Sequence, residues 1–240
     1  MRVDDLRVAG NVVARALPPP AEGVHAWWRE LTSHDTDVEA ARSVLSADEI
    51  ARAERFGTPA LRARYITGRA TLRMLLGQWL GVTPSAVPLV RGARGRPRVD
   101  MDGADTPDFN VSHTRDAAII AIATSVRIGV DLERRDREVD AVRLARKFLS
   151  AQEREAMDAL AENARREHFL RLWTCKEAMS KATGDGLSAP LGRLSVNASA
   201  EGLSLADGPP PYTPGAWQLV AIDVPATHMA TAALWRPLRD

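Results

Sequence analysis

A serine that opens a helix, followed three residues later by a glutamate that reaches back to it, occurs twice in this chain: LSADE at 45–49 and LSAQE at 149–153. In such a capping box the serine oxygen accepts from the free helix amides and the glutamate accepts from the serine's own N–H, so each box fixes a helix start. A longer helical pattern stopped by glycine follows each box. The first runs from about Ala60 to Leu80, with Leu61, Ile66, Leu72, Leu75, Leu76 and Trp79 at helical spacing and Gly81 behind it. The second covers 168–183 and stops at Gly184. RYITGRATLRMLLG and LWTCKEAMSKATG hold the same relative place. Capping boxes also occur in unrelated helices, so the repeat suggests a duplication without establishing it. It favours an α/β (α+β) chain of two similar halves, with a site where they meet.

Strand patterns fill the intervals. Residues 24–31 carry two tryptophans, and 87–90 and 98–99 flank a glycine-rich turn at 91–97. Residues 117–123 form an apolar run, 128–133 alternate, and the turn between them at 124–127 suits a hairpin. Residues 217–224 and 228–235 supply a closing pair, after a proline-rich loop at 208–214. The first 22 residues, ending in Pro18-Pro19-Pro20, read as a flexible N-terminal arm. The halves then span 23–126 and 127–240. A hydrophobic fraction of 45% suffices for packed cores, and a net charge of +1 selects no partner class. Arginine is dense between Arg52 and Arg98. Those cations suit an anionic ligand, although arginine in place of lysine is an equally good account of them. With Cys175 as the single cysteine no intramolecular disulfide can form, which fits a reducing cytoplasm. No apolar run approaches membrane-spanning length, so no membrane partner is expected.

Three local signals bear on chemistry. In the alternating segment IGVDLE, Ile128, Val130 and Leu132 face one way and Gly129, Asp131 and Glu133 the other. Carboxylates two residues apart on a strand stand roughly 6.6 Å apart. At an effective dielectric near 20 they repel by about 2 kcal/mol, which invites a cation such as Mg²⁺ held together with substrate phosphates. The bland reading is a solvated strand face with Arg134 and Arg135 as salt partners. On the second long helix Trp173, Glu177 and Lys181 share a face. There Glu177 is a third metal ligand or a base, or else half of an i,i+4 pair with Lys181 worth about 0.2–0.5 kcal/mol. Cys175 reads as a packed thiol. Finally, Ser112 and His113 in FNVSH lie at a strand end, where hydroxyl and imidazole suit a phosphate, or simply a structural hydrogen bond.

Taken in order, GRATLR (68–73), Gly-Arg-Pro (95–97), FNVSHT (109–114), IGVDLE (128–133), KFLS (147–150) and LWTCKEAMSKATGDGL (172–187) resemble the Sfp-type 4′-phosphopantetheinyl transferases. The resemblance extends from Leu45 to about Leu191. It implies a monomer of two pseudo-symmetric α/β halves with the active site at their junction, the first binding coenzyme A phosphates and the second holding Mg²⁺ and catalysing. It further implies that Asp131, Glu133 and Glu177 are the metal triad, with Glu177 also the base for the acceptor serine. By the same resemblance Lys181 steadies the pyrophosphate and the departing 3′,5′-ADP. Ser112 and His113 grip coenzyme A phosphates, Arg96 stands where the family usually has lysine, and Arg91 assists at the 3′-phosphate. The family often has a basic residue shortly after Glu54-Arg55-Phe56; here Gly57-Thr58-Pro59-Ala60 follows, and Arg62 or Arg64 must substitute. The implied co-substrate is coenzyme A. The implied partner is an apo carrier protein or domain of acyl, polyketide or peptidyl type.

Other functions fit less well. A different Mg²⁺-dependent phosphoryl or nucleotidyl transferase predicts a nucleotide cradle such as G-x-x-x-x-G-K-[ST], which this sequence lacks. A nucleic-acid-binding module has no zinc-finger spacing or aromatic RNA-binding motif here. A relative that only docks carriers would not need the intact Asp131/Glu133/Glu177 set.

Overall fold

The structure, a computed structural model, describes residues 4–8, 11–31, 35–92, 94–103, 106–199 and 202–236. The first half comprises β1 (Leu6–Val8), β2 (Asn11–Ala16), β3 (Val24–Glu30), α1 (Asp35–Arg42), α2 (Ala47–Glu54), α3 (Pro59–Leu80), β4 (Leu89–Arg91), β5 (Pro97–Val99), β6 (Asp108–His113) and β7 (Ala117–Ala123). Five of its strands form one antiparallel sheet in the order β1-β2-β3-β7-β6, and β4 and β5 pair separately. The second half comprises β8 (Arg127–Arg134), α4 (Ala141–Phe148), α5 (Ala151–Asp158), α6 (Glu162–Thr183), β9 (Ser195–Ser199), β10 (Gly202–Asp207), β11 (Trp217–Ile222) and β12 (His228–Trp235). Its main sheet runs β11-β12-β8, with β9 and β10 as a separate pair. Among the described residues no helix is long and apolar enough to cross a membrane.

Both capping boxes form as expected, on α2 and α5, and both long helices end at glycines in the left-handed region, Gly81 and Gly184. The likeness of the halves extends into the interior. The Glu49 carboxylate of the first box receives Arg73 Nε of α3 at 2.6 Å, and Arg73 also donates to the carbonyls of Pro84 and Val87. Glu153 of the second box receives the Lys176 ammonium of α6 at 2.5 Å, and Lys176 donates to the carbonyls of Phe148, Leu191 and Leu194. In each half a buried cation on the long helix therefore ties the box to the loop beyond it.

Two expectations need correction. The N-terminal segment is not a loose arm: β1 and β2 extend the five-stranded sheet, and Leu6, Ala14 and Leu17 are buried. Its pattern is short and interrupted by Arg15, and the sheet edge offered by β3 makes it a strand. Residues 1–3 and 9–10 of that segment lie outside the described residues. Nor do β7 and β8 form a hairpin. Both edges of β7 are taken, by β3 and β6, so the chain turns at Ser125 (φ 60°) and β8 joins β12 in the other sheet. Burial on both faces explains why 117–123 is apolar throughout. Ile120 and Ile122 pack with Leu72 and Leu76 of α3, whereas Ile119 and Ala121 pack with Ile128, Val130 and Leu132 of β8.

Candidate active site

The edges of the two main sheets, β6 and β8, meet without backbone pairing. Alternate side chains of β6 instead accept the amides of alternate residues of β8. Asp108 Oδ2 accepts from Ile128 N at 2.7 Å, Asn110 Oδ1 from Val130 N at 3.0 Å, and Ser112 Oγ from Leu132 N at 3.2 Å. The period-two alternation of a strand puts these three acceptors on one side, and exposed edge amides are otherwise a liability. Arg96 reinforces the seam. Its guanidinium grips both oxygens of Asp108 at 2.6 and 2.8 Å and donates to the carbonyls of Phe109, Ile128 and Lys181.

On the other face of β8, α6 lies unusually close. A Cβ added at Gly129 would collide with the Ala178 carbonyl oxygen and stand 2.6 Å from Ala182 N. This approach brings Asp131 and Glu133 of β8 beside Glu177 and Lys181 of α6. Lys181 Nζ donates to Asp131 Oδ1 at 2.7 Å and to Ser112 Oγ at 2.9 Å. Lys181 thus bridges to β8 and not to Glu177, which disposes of the simple i,i+4 pair. Glu133 accepts from Trp173 Nε1 at 3.1 Å and pairs with Arg137. Asp131 is only 5% exposed, and its Oδ2 and the Glu177 Oε1 are buried without hydrogen-bond partners among the described residues. Burial pushes the Glu133 and Glu177 carboxyls above the ordinary range, and the neighbouring Asp131 pushes them the same way.

A cleft of about 990 Å³ opens over this cluster, with Asp131, Glu133 and Lys181 on its floor. His113, Arg64, Arg115 and Arg137 also line it. The cations and the Asp131 and Glu133 carboxylates of the lining equip the cleft for a ligand carrying several phosphates and a metal ion. Glu177 sits beside Asp131 but is not among the described residues that line the cleft. Among the described residues no three carboxylate, imidazole or thiolate side chains gather closely enough to hold a metal on their own. An ion here would draw its remaining ligands from water and substrate oxygens, as Mg²⁺ commonly does.

The residues expected at the site thus divide. Asp131, Glu133, Glu177 and Lys181 come together, and His113 is exposed in the cleft. Ser112 is not a free phosphate ligand, because its hydroxyl is occupied by Asp131, Lys181 and the Leu132 amide. Arg96 is likewise committed to the seam, where Asp108 neutralises it. Arg91 is exposed, donates to Gly95 O and does not line the cleft. Of the two substitutes near Gly57, Arg64 lines the cleft and Arg62 does not, although Arg62 Nε is buried without a partner among the described residues. Sequence reasoning missed Arg115 and Arg137. Arg115 was within reach, directly following FNVSHT, but nothing in the sequence marks Arg137. Cys175 is buried against Thr231 and its thiol is pushed up to about 12 by burial, so it is inert packing.

Comparison with known proteins decides the family. A model of the 4′-phosphopantetheinyl transferase superfamily matches residues 127–232, and one of the N-terminal part of 4′-phosphopantetheinyl transferases matches 28–125. The 4′-phosphopantetheinyl transferase HetI of Nostoc sp. is 37% identical over 179 residues, covering 72% of this chain and 76% of that protein. The chain belongs to the 4′-phosphopantetheinyl transferase superfamily. A putative 4′-phosphopantetheinyl transferase of Synechocystis sp. is 35% identical over 153 residues (64% of this chain, 62% of the relative). The 4′-phosphopantetheinyl transferase Sfp of Bacillus subtilis is 26% identical over 197 residues (81% and 84%). Membership makes coenzyme A the donor substrate of this transferase and a carrier protein its acceptor.

Proposed function

We propose that the transferase moves the 4′-phosphopantetheine arm of coenzyme A onto a serine hydroxyl of an apo carrier protein and releases 3′,5′-ADP, with Asp131, Glu133 and Glu177 holding Mg²⁺. The observation that carries the metal reading is the pair of buried, unpartnered oxygens, Asp131 Oδ2 and Glu177 Oε1, in a cluster of three carboxylates. Buried carboxylate oxygens without donors are costly, and a hard divalent cation is the partner such oxygens suit. When bound, the ion supplies neutralisation of pyrophosphate charge.

The protein's own groups account for the rest. His113, Arg64 and Arg115 hold the anionic donor in the cleft by charge-assisted hydrogen bonds. Serine Oγ attacks the β-phosphorus, a new P–O bond forms, and the bond to the bridging oxygen breaks with its electrons going to the departing 3′,5′-ADP. Glu177 takes the serine proton. A carboxylate does this as a general base when it comes within hydrogen-bond reach of the serine, directly or through one water. Lys181, within reach of the cluster, offsets charge developing on the leaving phosphate.

In the same reading residues up to 126 contribute mainly to donor binding and 127–240 to the metal and catalysis. The transferase works as a cytoplasmic monomer, and its acceptors are carriers of the acyl, polyketide or peptidyl type. The test is incubation with coenzyme A, Mg²⁺ and a panel of apo carriers, followed by intact mass measurement. One phosphopantetheine is added to at least one carrier, and EDTA abolishes the addition. Full turnover in EDTA sinks the metal assignment, and no mass gain on any carrier sinks the acceptor assignment.

A further inference from the structure

We propose that Ser112 is a positioning residue that divides the two oxygens of Asp131, assigning Oδ1 to Lys181 and leaving Oδ2 for the divalent cation. The inference rests on the metal reading above and moves Ser112 from phosphate contact to support of the triad. A hydroxyl has one proton to donate and two lone pairs that accept. Ser112 Oγ accepts from the Leu132 amide at 3.2 Å and from Lys181 Nζ at 2.9 Å, which fills its acceptor capacity. Its proton is then directed to Asp131 Oδ1, 3.0 Å away. Lys181 Nζ meets that same oxygen at 2.7 Å. A carboxylate turns readily about its last bond, and a lone ammonium can engage either oxygen or straddle both. The Ser112 hydroxyl removes that freedom. Because it is anchored on the amide next to Asp131, the constraint stays registered to β8 itself. The result is visible in Asp131 Oδ2, which is buried and has no partner among the described residues while Oδ1 carries two donors.

Ser112 also has a purely structural duty as the last rung of the β6–β8 seam, and Asn110 provides the control. Asn110 performs the same duty for the Val130 amide and makes no hydrogen bond to Asp131. The experiment titrates Mn²⁺ by electron paramagnetic resonance with coenzyme A present and no carrier protein, against a blank of coenzyme A alone, so that no turnover occurs. Ser112→Ala weakens Mn²⁺ binding about tenfold or more, the usual worth of a hydrogen bond to a charged group. Ser112→Thr, which keeps the hydroxyl, restores most of the affinity. Asn110→Ala lowers the melting temperature but leaves Mn²⁺ affinity within about twofold, because the hydrogen bond it removes is neutral and is not made to the carboxylate. Should Ser112→Ala not fold, Ser112→Cys, a weak donor of similar size, must show the loss. Wild-type Mn²⁺ affinity in the Ser112→Ala or Cys protein, or an equal loss in Asn110→Ala, overturns the positioning role. If the wild-type protein binds no Mn²⁺ above the blank, the metal reading itself fails and takes this inference with it.

Discussion

Glu177 is the residue on which the proposed chemistry turns, and its environment makes its role measurable. Among the described residues it has no salt-bridge partner, because Lys181, one turn away, is engaged with Asp131 and Ser112. Glu177→Gln therefore removes little native-state attraction, and it relieves repulsion from Asp131. Transfer should fall by about 10² to 10⁴, the usual contribution of a general base, while the melting temperature holds or rises. Near-normal kcat on a sample of unchanged stability would remove Glu177 as the base. The same residue carries a pH signature. A carboxyl whose folded pKa is raised above its ordinary 4.5 binds its proton more tightly in the folded protein. Its contribution to stability is therefore fully present below that ordinary value and is lost as pH rises through the folded pKa. In EDTA the wild-type protein should lose stability relative to Glu177→Gln as pH is raised, and saturating Mg²⁺ should reverse the trend. Parallel melting curves for the two proteins across pH in EDTA would contradict this.

Elements are held together by groups with no part in the chemistry. Lys176 neighbours Glu177 in sequence but points the other way on α6 and is fully buried. Burial lowers its pKa, and Glu153 opposes that shift. Four hydrogen bonds, to Glu153 and three carbonyls, join α6 to α5, to the end of α4 at Phe148 and to the segment at Leu191 and Leu194. Lys176→Met leaves the buried Glu153 carboxylate without its countercharge and three carbonyls short of a donor. Breaking a buried pair in this way costs about 3–5 kcal/mol, which chemical denaturation will read directly. A loss below about 1 kcal/mol would mean that Glu153 survives on the Ser150 and Val196 amides alone. The capping boxes were legible in the sequence because they are local. Their union with Arg73 and Lys176 was not, since partners more than twenty residues apart leave no periodic trace.

At the scale of the whole molecule, the cleft exists because two sheets meet edge to edge through side chains. Arg96 spans that seam, touching β6, β8 and the end of α6. Arg96→Ala should lower stability by about 3 kcal/mol, because it leaves Asp108 with only the more distant Arg127 (3.7 Å) as countercharge and three carbonyls without their donor. His113→Ala removes an exposed cleft residue and should instead raise KM for coenzyme A, with little change in melting temperature. Equal melting temperatures for the two variants would return Arg96 to the ligand-binding role that its sequence position suggests.

Local interactions made much of this protein readable from its residues alone. Alternation oriented Ile128, Val130 and Leu132 away from Asp131 and Glu133, and helical spacing put Glu177 and Lys181 on one face. Ordered motifs pointed to the family and hence to the proposed triad. Tertiary structure decided the rest, because it depends on which edges and faces find each other. The vacant edge of β3 turned the supposed N-terminal arm into strands. The filled edges of β7 sent β8 into the second sheet. Gly129, unremarkable in sequence, let α6 come close enough to assemble the carboxylates. Arg96 and Ser112 matched a phosphate-binding pattern, yet their hydrogen bonds are spent across the seam. A side chain's type and period follow from the chain itself, whereas the partner that uses up its donors is set only when distant segments pack.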